Sequence, residues 1–560
     1  MRSQKIFVIL SILCFIGSLR TYAQFTINGK SIIYDKLSNT YMASIPEDSF
    51  EKDYSAIIKI DADSAWSQLE IEGQKVEDNY IFQKIESNKE FSIKALRANQ
   101  PVEAKITFTF LPLLELQGDF GYDFTQGSLS LLVPDGAAPI TSCLKAKWRG
   151  GSTNSEGKHK RNYKLKILNE NGKSRDISFL GMREDNNWIL DAGQVDLFRL
   201  RNRIATELWN DFATKPYYTN LEPKAKSGVS GKVVELILNN EYRGIYSLTE
   251  AIDRKEMKLK KYDDEKQDFH GQLWKVSSWE KAQFWSIDKD YDNTQETWHG
   301  IETKYPDIDD VNPTDYSALY NAIDFVANSD EQTFKTQVAQ YFDLPVVMDY
   351  QLFLEVTQAI DNRGKNIYWA IYDKTKDKKL TLAIWDLDAT MGQNYECGVP
   401  LHPETVAPET DMNIKHYHNL YARLYDYNVD HYTEQVTDRY WNLRQSYFSE
   451  EALVNRYQKY YHILSASGAA QREELRWSKD SDIGGYPLNF KEEMNYITDW
   501  IHQRLHYLDT RLYPPTTSIR STAIDHNKSK RPMYNLQGQR VNSSYKGLTI
   551  RNGKKYFCYK

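Results

Sequence analysis

The sequence predicts an α+β protein in which a β-sandwich precedes a mixed domain and a short β tail ends the chain. Alternating segments such as YSAIIKIDAD and AKITFTFLP, with no helical repeat, predict the sandwich. From about Leu113 strand and helix patterns follow one another, and a β pattern returns after Pro514 and Pro515. The predicted divisions are a signal peptide at 1–23, an Ig-like β-sandwich at 24–112, a mixed α and β domain at 113–512, and a linker with a sorting-like β tail at 513–560.

Composition excludes several classes of protein. The chain has 560 residues, too many for one compact core. Hydrophobic residues make up 41% and charged residues 26%, and the mean hydropathy of -0.65 argues against a polytopic membrane protein. The net charge of -6 gives little support to a nucleic-acid partner. The sequence indicates no oligomeric state.

The N-terminus has the pattern of a cleaved secretory signal. Arg2 and Lys5 precede the apolar run IFVILSILCFIG, and TYA before Gln24 fits the small-residue cleavage pattern. We predict a secreted protein, periplasmic, extracellular or at the cell surface, with no transmembrane segment after cleavage. The mature chain keeps three widely spaced cysteines, for which unpaired thiols are favoured over one disulfide: Cys143, Cys397 and Cys558.

Helices and a glycine-rich loop surround the centre of the mixed domain. Helices are predicted from Asp196, from Asp343 and through EEMNYITDWIHQRL. Between KWR and NYKLKIL lies GGSTNSEGK, a loop whose backbone amides can wrap phosphates beside Arg149 and several lysines. Composition alone favours a plain polar hairpin there, since no Walker-type loop is present.

One stretch at the centre of this domain contains candidate site residues: IDNRGKNIYWAIYDKTKDKKLTLAIWDLDATMG. Two apolar segments, 367–372 and 380–385, flank a charged turn and predict a β-hairpin. Folding about Lys376 sets Asn366 opposite Asp386, and opposed residues have Cβ atoms about 4.5 to 5.5 Å apart. An amide oxygen and a carboxylate at that distance can share one hard cation.

Two chemistries compete for WDLDATMG. DLDAT after an apolar strand matches the first motif of haloacid dehalogenase-type phosphatases, but that motif belongs to the first strand of a parallel α/β domain. The other chemistry is phosphoryl transfer, in which one Asp orients the attacking hydroxyl while an Asn and a second Asp hold magnesium. Asp361 and Asn366 have the D-x-x-x-x-N spacing of a kinase catalytic loop. Asp386 lies where the metal-binding aspartate follows that loop in kinases.

An ordered set of motifs resembles the spore coat protein H (CotH) kinase family of atypical, protein-kinase-like enzymes. These motifs are KWRGGSTN with KRNYKLKI, DNNWILDAGQVDLFRLRNRIATELW, NNEYRGIYSLTEAID, GIETKYPD, AIDNRGKNIYW and WDLDATMG. The resemblance covers roughly residues 113–512. It implies an atypical protein-kinase-like fold for that domain and the use of ATP and Mg²⁺.

The resemblance also implies roles for individual residues. Asp361 is the implied catalytic aspartate, Asn366 and Asp386 are the implied magnesium ligands, and Asp388 supports them. The implied nucleotide-binding residues are Arg149, Ser152, Lys160 and Lys166 at the phosphates, with Lys160 preferred, and Glu250 near the nucleotide.

We therefore predict a secreted, Mg-dependent atypical protein kinase that transfers the ATP γ-phosphate to Ser or Thr of a protein. The alternative is a catalytically silent adhesion or binding module on the same fold. A signal peptide favours that alternative, because ATP is scarce outside the cytoplasm. Fold resemblance alone does not decide between the two.

Overall fold

The computed structural model describes residues 25–60, 66–97, 100–279, 281, 283–394, 414–515, 533–535, 540–541, 547–551 and 554–558. The predicted signal peptide therefore lies outside the described residues. Two compact units are present, Met1–Tyr513 and Pro514–Lys560. Within the described residues, no helix is long and apolar enough to cross a membrane.

Two sheets form the N-terminal part. Their strands are β1 (Phe25–Ile27), β2 (Lys30–Ser31), β3 (Ile33–Asp35), β4 (Thr40–Ser44), β5 (Tyr54–Ile60), β6 (Trp66–Ile71), β7 (Gln74–Val76), β8 (Asn79–Phe82), β9 (Glu90–Arg97) and β10 (Gln100–Thr109). One sheet has the order β2-β1-β5-β8 and the other β3-β4-β10-β9-β6-β7. Inward side chains of both, among them Phe82 and Phe108, share one buried apolar cluster. The predicted β structure is confirmed, and its Ig-like character stays a prediction.

A closed barrel follows, in the order β11-β12-β13-β14-β15-β17-β16. Its strands, and the helix that precedes the last two, are β11 (Leu113–Gln117), β12 (Thr125–Leu132), β13 (Ile140–Arg149), β14 (Asn162–Leu168), β15 (Asn187–Asp191), α1 (Arg201–Phe212), β16 (Gly231–Leu238) and β17 (Glu241–Thr249). Leu144, Ala146 and Leu165 are completely buried inside the barrel. Because side chains alternate along a strand, the residues between them point outward.

The N-terminal sheets pack on the barrel through apolar and polar contacts. Ile33 and Met42 share a buried cluster with Leu113 and Tyr242. Close by, Thr109 donates a 2.7 Å hydrogen bond to the buried carboxylate of Glu235. These contacts make the first strands part of the same compact unit as the barrel.

The rest of the large unit is a five-stranded sheet surrounded by helices. We call it the second sheet because it is the second β structure of the mixed domain, after the barrel. The sheet order is β19-β20-β18-β21-β22. In chain order the elements are α2 (Arg254–Met257), β18 (Gln272–Val276), β19 (Thr297–Trp298), β20 (Ile301–Tyr305), α3 (Ser317–Asn328), α4 (Glu331–Tyr341), α5 (Leu344–Thr357), β21 (Ile367–Ile371), β22 (Leu380–Ile384), α6 (Asn419–Asp426), α7 (Tyr432–Arg444), α8 (Glu450–Ala466), α9 (Ala469–Trp477) and α10 (Phe490–Tyr507). The predicted mixture of α and β structure is confirmed.

The central hairpin is present, but its predicted register was wrong by one residue. Ile367 pairs with Ile384, which sets Asn366 opposite Trp385 rather than Asp386. The turn explains the difference: Asp373 accepts hydrogen bonds from Thr375 through its side chain and from the Lys376 backbone N–H through its carbonyl. This turn begins at Asp373, so the loop holds an even number of residues and is not centred on Lys376.

Helix starts were predicted with mixed success. Helix α5 begins directly after Asp343, as predicted. Helix α1 begins at Arg201 rather than just after Asp196. Asp196 instead closes a preceding turn, where its carboxylate accepts hydrogen bonds from the backbone N–H groups of Phe198 and Arg201.

The C-terminal unit contains a small sheet of its own. Its strands are β23 (Met533–Asn535), β24 (Arg540–Val541), β25 (Gly547–Arg551) and β26 (Lys554–Cys558), in the order β24-β23-β25-β26. The predicted β tail is confirmed as β structure, and its sorting-like role stays a prediction. Cys143 lies half-buried on β13, whereas Cys397 and the side chain of Cys558 lie outside the described residues.

Candidate active site

Asp361 lies in a single 3₁₀ turn just before β21, and both of its carboxylate oxygens are engaged. The Asn366 side-chain amide donates a 2.8 Å hydrogen bond to Oδ2, and the Lys365 ammonium lies 3.1 Å from Oδ1. Asp361 and Asn366 are thus in direct contact, as the D-x-x-x-x-N spacing leads one to expect. These bonds hold the Asp361 carboxylate in one orientation.

A buried asparagine joins the two ends of the hairpin. The side-chain amide of Asn362 donates to the carbonyl of Trp385 at 2.7 Å and to that of Asn366 at 3.4 Å. Asn366 and Asp386, on either side of these contacts, both have left-handed backbones, with φ of 56° and 60°. Non-glycine residues rarely adopt this conformation, and it recurs at functional sites. Sequence reasoning missed Asn362, although it lies within the motif AIDNRGKNIYW.

A third acidic residue joins the pair in WDLD. Asp191 ends β15, and its carboxylate accepts hydrogen bonds from the Asn202 side chain at 2.7 Å and the Gly193 N–H at 3.1 Å. The side-chain oxygen of Asn202 in turn accepts a 3.1 Å hydrogen bond from the N–H of Leu387. Asn202, on α1, therefore ties Asp191 of the barrel to the loop that carries Asp386 and Asp388.

Burial, together with repulsion between neighbouring carboxylates, raises the pKa values of these acids. Solvent reaches Asp386, yet the dense protein around it displaces much of its water and raises its pKa, and Asp361 adds to the rise. Desolvation also raises the pKa of Asp388 well above its usual range, with further contributions from Asp386 and Asp191. The pKa of Asp191 is raised chiefly by desolvation too.

The chemistry of these acids, rather than their present spacing, suits a divalent cation. A cation relieves repulsion among carboxylates, and magnesium prefers oxygen ligands from one or two carboxylates together with substrate phosphates. Asp386, Asp388 and Asp191 supply such oxygens. Among the described residues, the acidic group whose ligand atoms all lie within 4.8 Å of one another is His159 with Asp480 and Asp482, which is closed by its own hydrogen bonds and lies next to Lys160 on the chain. Asp386, Asp388 and Asp191 interact electrostatically but do not form such a group.

Positive charge faces the carboxylates across the site. The guanidinium of Arg149, at the end of β13, lies 5.4 Å from the centre of the Trp385 ring. Arg149 and Lys275 of β18 are the main cations that oppose the pKa rise of Asp386. On β14, desolvation followed by repulsion from Lys166 and Arg149 lowers the pKa of Lys164. Cations and acids thus meet where the barrel approaches the second sheet.

A comparison with family models gives a match to the model described as CotH kinase protein over residues 146–508. The chain belongs to the CotH kinase family. The match includes every acidic and cationic residue described above, so the predicted family is confirmed. A search of curated proteins gives no match.

Lys160, the lysine expected to face the nucleotide phosphates, is not accessible to a ligand. Its side chain is 1% exposed, and its ammonium donates to Glu473 at 2.6 Å and to the carbonyl of Ile245 at 2.8 Å. Burial lowers the pKa of Lys160 to about 7, although Glu473 opposes the change. Two of the three ammonium donors of Lys160 are therefore used by buried protein partners, and the preference for it over other lysines of KRNYKLK has no support in this environment.

Two further residues expected at the CotH phosphate site have different surroundings. Lys166 lies on the outer face of the barrel, with its ammonium 5.1 Å from the centre of the Phe124 ring. Ser152 lies in a short 3₁₀ turn, and its side chain is outside the described part of the chain. Their predicted contacts with phosphate stay predictions.

Glu250, expected near the nucleotide, is buried with its carboxylate occupied. It accepts backbone hydrogen bonds from Arg183 at 3.0 Å and from Ser230 at 2.9 Å. Burial opposes its ionisation, but these two bonds and the nearby Lys226 outweigh burial and lower the pKa of Glu250. It joins two loops, and its role beside a nucleotide stays a prediction.

Proposed function

We propose that this protein is an atypical protein kinase that transfers the γ-phosphoryl group of ATP to a serine or threonine hydroxyl of a protein, with magnesium. The observation that carries the proposal is the electrostatic interaction of Asp361, Asp386, Asp388 and Asp191 with one another, opposite cations of the barrel and the second sheet. In MgATP the magnesium ion can bind the carboxylates, and the phosphates can bind the opposing cations.

In this proposal, Asp386, Asp388 and Asp191 would hold magnesium, which would neutralise charge on the donor phosphates. The Asn366 side-chain NH₂ is used on Asp361, and its role as a magnesium ligand stays a prediction. Arg149, Lys164 and Lys275 offset the remaining phosphate charge. Lys164 and Lys275 replace Lys160 in this role. Burial lowers their pKa values, and a bound anion would stabilise their charged ammonium groups.

Asp361 receives the proton of the acceptor. The hydroxyl oxygen forms a bond to the γ-phosphorus while the bond from that phosphorus to the bridging oxygen of ADP breaks, and the hydroxyl proton passes to the Asp361 carboxylate. Asn366 keeps this carboxylate oriented through its 2.8 Å hydrogen bond. Orientation of the acceptor and stabilisation of phosphoryl charge provide most of the catalysis in such transfers.

The proposal includes export. The N-terminal sequence pattern supports a secreted protein, and an exported kinase requires a supply of nucleotide where it acts. Direct measurement of ATP use therefore separates the kinase from a silent binding module.

The test is the incorporation of labelled phosphate from ATP into a Ser- and Thr-containing protein or into the chain itself. Asp386→Asn and Asp361→Asn are expected to lower the rate about 10²- to 10³-fold, the scale seen when one preorganised electrostatic contact is removed. Asp310→Asn, an exposed control with the same change in charge, should match the wild type.

Two outcomes contradict the proposal. Equal labelling by wild type and Asp386→Asn excludes the named site. If the wild type shows no labelling and no thermal shift with MgATP, the chain is a binding module, since a ligand at 100 times its dissociation constant adds about 2.7 kcal/mol of stability.

A further inference from the structure

The outer face of β13 and β14 carries five cations in a regular array. Lys145 lies opposite Lys166, Lys147 lies opposite Lys164, and Arg149 ends the array beside the acidic residues of the site. We call these five residues the basic face. Directly opposed like charges destabilise a sheet, so two such pairs in succession are costly to the folded protein.

No carboxylate of a described residue lies within ion-pair distance of any cation of the basic face. Three of the ammonium groups instead surround one half-buried ring: those of Lys145, Lys147 and Lys166 lie 5.4, 5.0 and 5.1 Å from the centre of Phe124. Such contacts hold the cations in place without neutralising them. Arg149 faces the acids of the site, whereas the four lysines of the basic face have no described carboxylate at ion-pair distance, as expected of a surface that binds an anionic partner.

The spacing of the rows limits what that partner is. Successive rows lie two residues apart on each strand, about 7 Å, so the outermost row is about 14 Å from Arg149. A nucleotide whose γ-phosphate lies at Asp386 and Asp361 cannot extend its phosphates along the whole array. An extended peptide with acidic side chains at alternate positions has the same repeat of about 7 Å.

We propose that the basic face binds an acidic segment of the protein substrate, with glutamate or aspartate at alternate positions beside the acceptor serine or threonine. The assignment rests on the proposed kinase function and names its substrate class. The segment lies along β13 and β14, its carboxylates meet Lys145, Lys147 and Lys166, and the acceptor reaches Asp361 beyond Arg149 and Lys164, which face the nucleotide phosphates. Electrostatic complementarity of this kind selects partners and accelerates their association.

The test measures binding of two fluorescent peptides to the full-length chain by anisotropy, without nucleotide. One peptide has a serine flanked by alternating glutamates, and the other has glutamine in place of each glutamate. The glutamate peptide is expected to bind at least about tenfold more tightly, and the double variant K145E/K147E is expected to lose that difference. The control K59E/K232E reverses two exposed strand lysines elsewhere and should bind like the wild type.

Equal affinity for both peptides, or wild-type binding by K145E/K147E, overturns the proposal. Displacement of the glutamate peptide by a saturating non-hydrolysable MgATP analogue also overturns it, because Lys145, Lys147 and Lys166 then belong to the nucleotide site. Binding needs no phosphoryl transfer, so Asp386→Asn should retain it. An inactive wild type that still discriminates between the peptides therefore contradicts only the kinase function.

Discussion

Two groups of cations on the barrel differ in how their charge is balanced. In the buried cluster around Glu473, the Lys160 ammonium and the Arg199 guanidinium donate to one carboxylate oxygen at 2.6 and 2.7 Å, and all three side chains are almost completely buried. On the basic face, half-buried cations have no ion pair with a described carboxylate and face one another in rows. Lys160 and Lys164 are only four residues apart, yet they belong to different groups.

This difference distinguishes cations that stabilise the fold from cations that are available to bind a ligand. A buried charge persists only when it is paired and hydrogen-bonded, so the Glu473 cluster holds helix α9 against the barrel. Half-buried like charges that repel one another lower stability, and such arrangements persist at sites whose ligand supplies the opposite charge. The state of pairing, rather than position in the KRNYKLK run, therefore distinguishes Lys164 from Lys160.

Removing the carboxylate of the buried cluster should have the largest effect on stability. We expect Glu473→Gln to lower the free energy of unfolding by about 3 to 5 kcal/mol, because it leaves Lys160 and Arg199 buried without their counter-charge. Urea unfolding measures the change. Glu451→Gln, at an exposed position of α8, is the control and should change stability by less than about 0.5 kcal/mol. A loss below 1 kcal/mol for Glu473→Gln means that the cluster does not need its counter-charge.

Replacing a cation of the basic face should instead affect the ligand. We expect Lys164→Met to weaken MgATP binding about 10- to 100-fold, the scale of one hydrogen bond to a charged group, with no loss of stability. Calorimetric titration measures the affinity, and Lys232→Met is the control. Unchanged affinity excludes Lys164 from the phosphate site.

The pH dependence of stability gives a second measure of Lys164. Desolvation and neighbouring cations lower its pKa in the folded state below 10.5, so the unfolded chain binds more protons between the two values. Stability from this residue therefore rises as pH increases from the lowered pKa towards 10.5. In urea unfolding from about pH 8 to about pH 10, Lys164→Met should lack this part of the rise. An identical pH profile for the variant indicates an unperturbed lysine.

Much of this architecture follows from sequence patterns, because alternation and helical repeats report which faces are buried. The hairpin and helix α5 were predicted from local spacing. The hairpin register was not predicted correctly, because it depends on the side-chain turn at Asp373. Asp191 and Lys275 were missed because they join the site only when the barrel and the second sheet approach each other, which no local pattern encodes.

The smallest expected effect is also the sharpest test of the comparison. Reversing two charges of the basic face in K145E/K147E converts its opposed lysine pairs into opposite-charge pairs with Lys166 and Lys164. Each cross-strand pair contributes about 0.2 to 1 kcal/mol, so we expect the free energy of unfolding to rise by a comparable amount.

The matched control separates the repulsion between opposed lysines from the effect of the charge change itself. In K59E/K232E the residues opposite the substituted lysines are Thr26 and Leu248, so the same change in charge removes no repelling pair and should leave stability nearly unchanged. Urea unfolding at low salt measures both variants, since salt screens half-exposed charges. A stabilised variant that no longer binds acidic peptide would mean that the chain keeps repelling lysines for their ligand. A destabilised K145E/K147E would mean that the contacts of these lysines with Phe124 outweigh the repulsion between the rows.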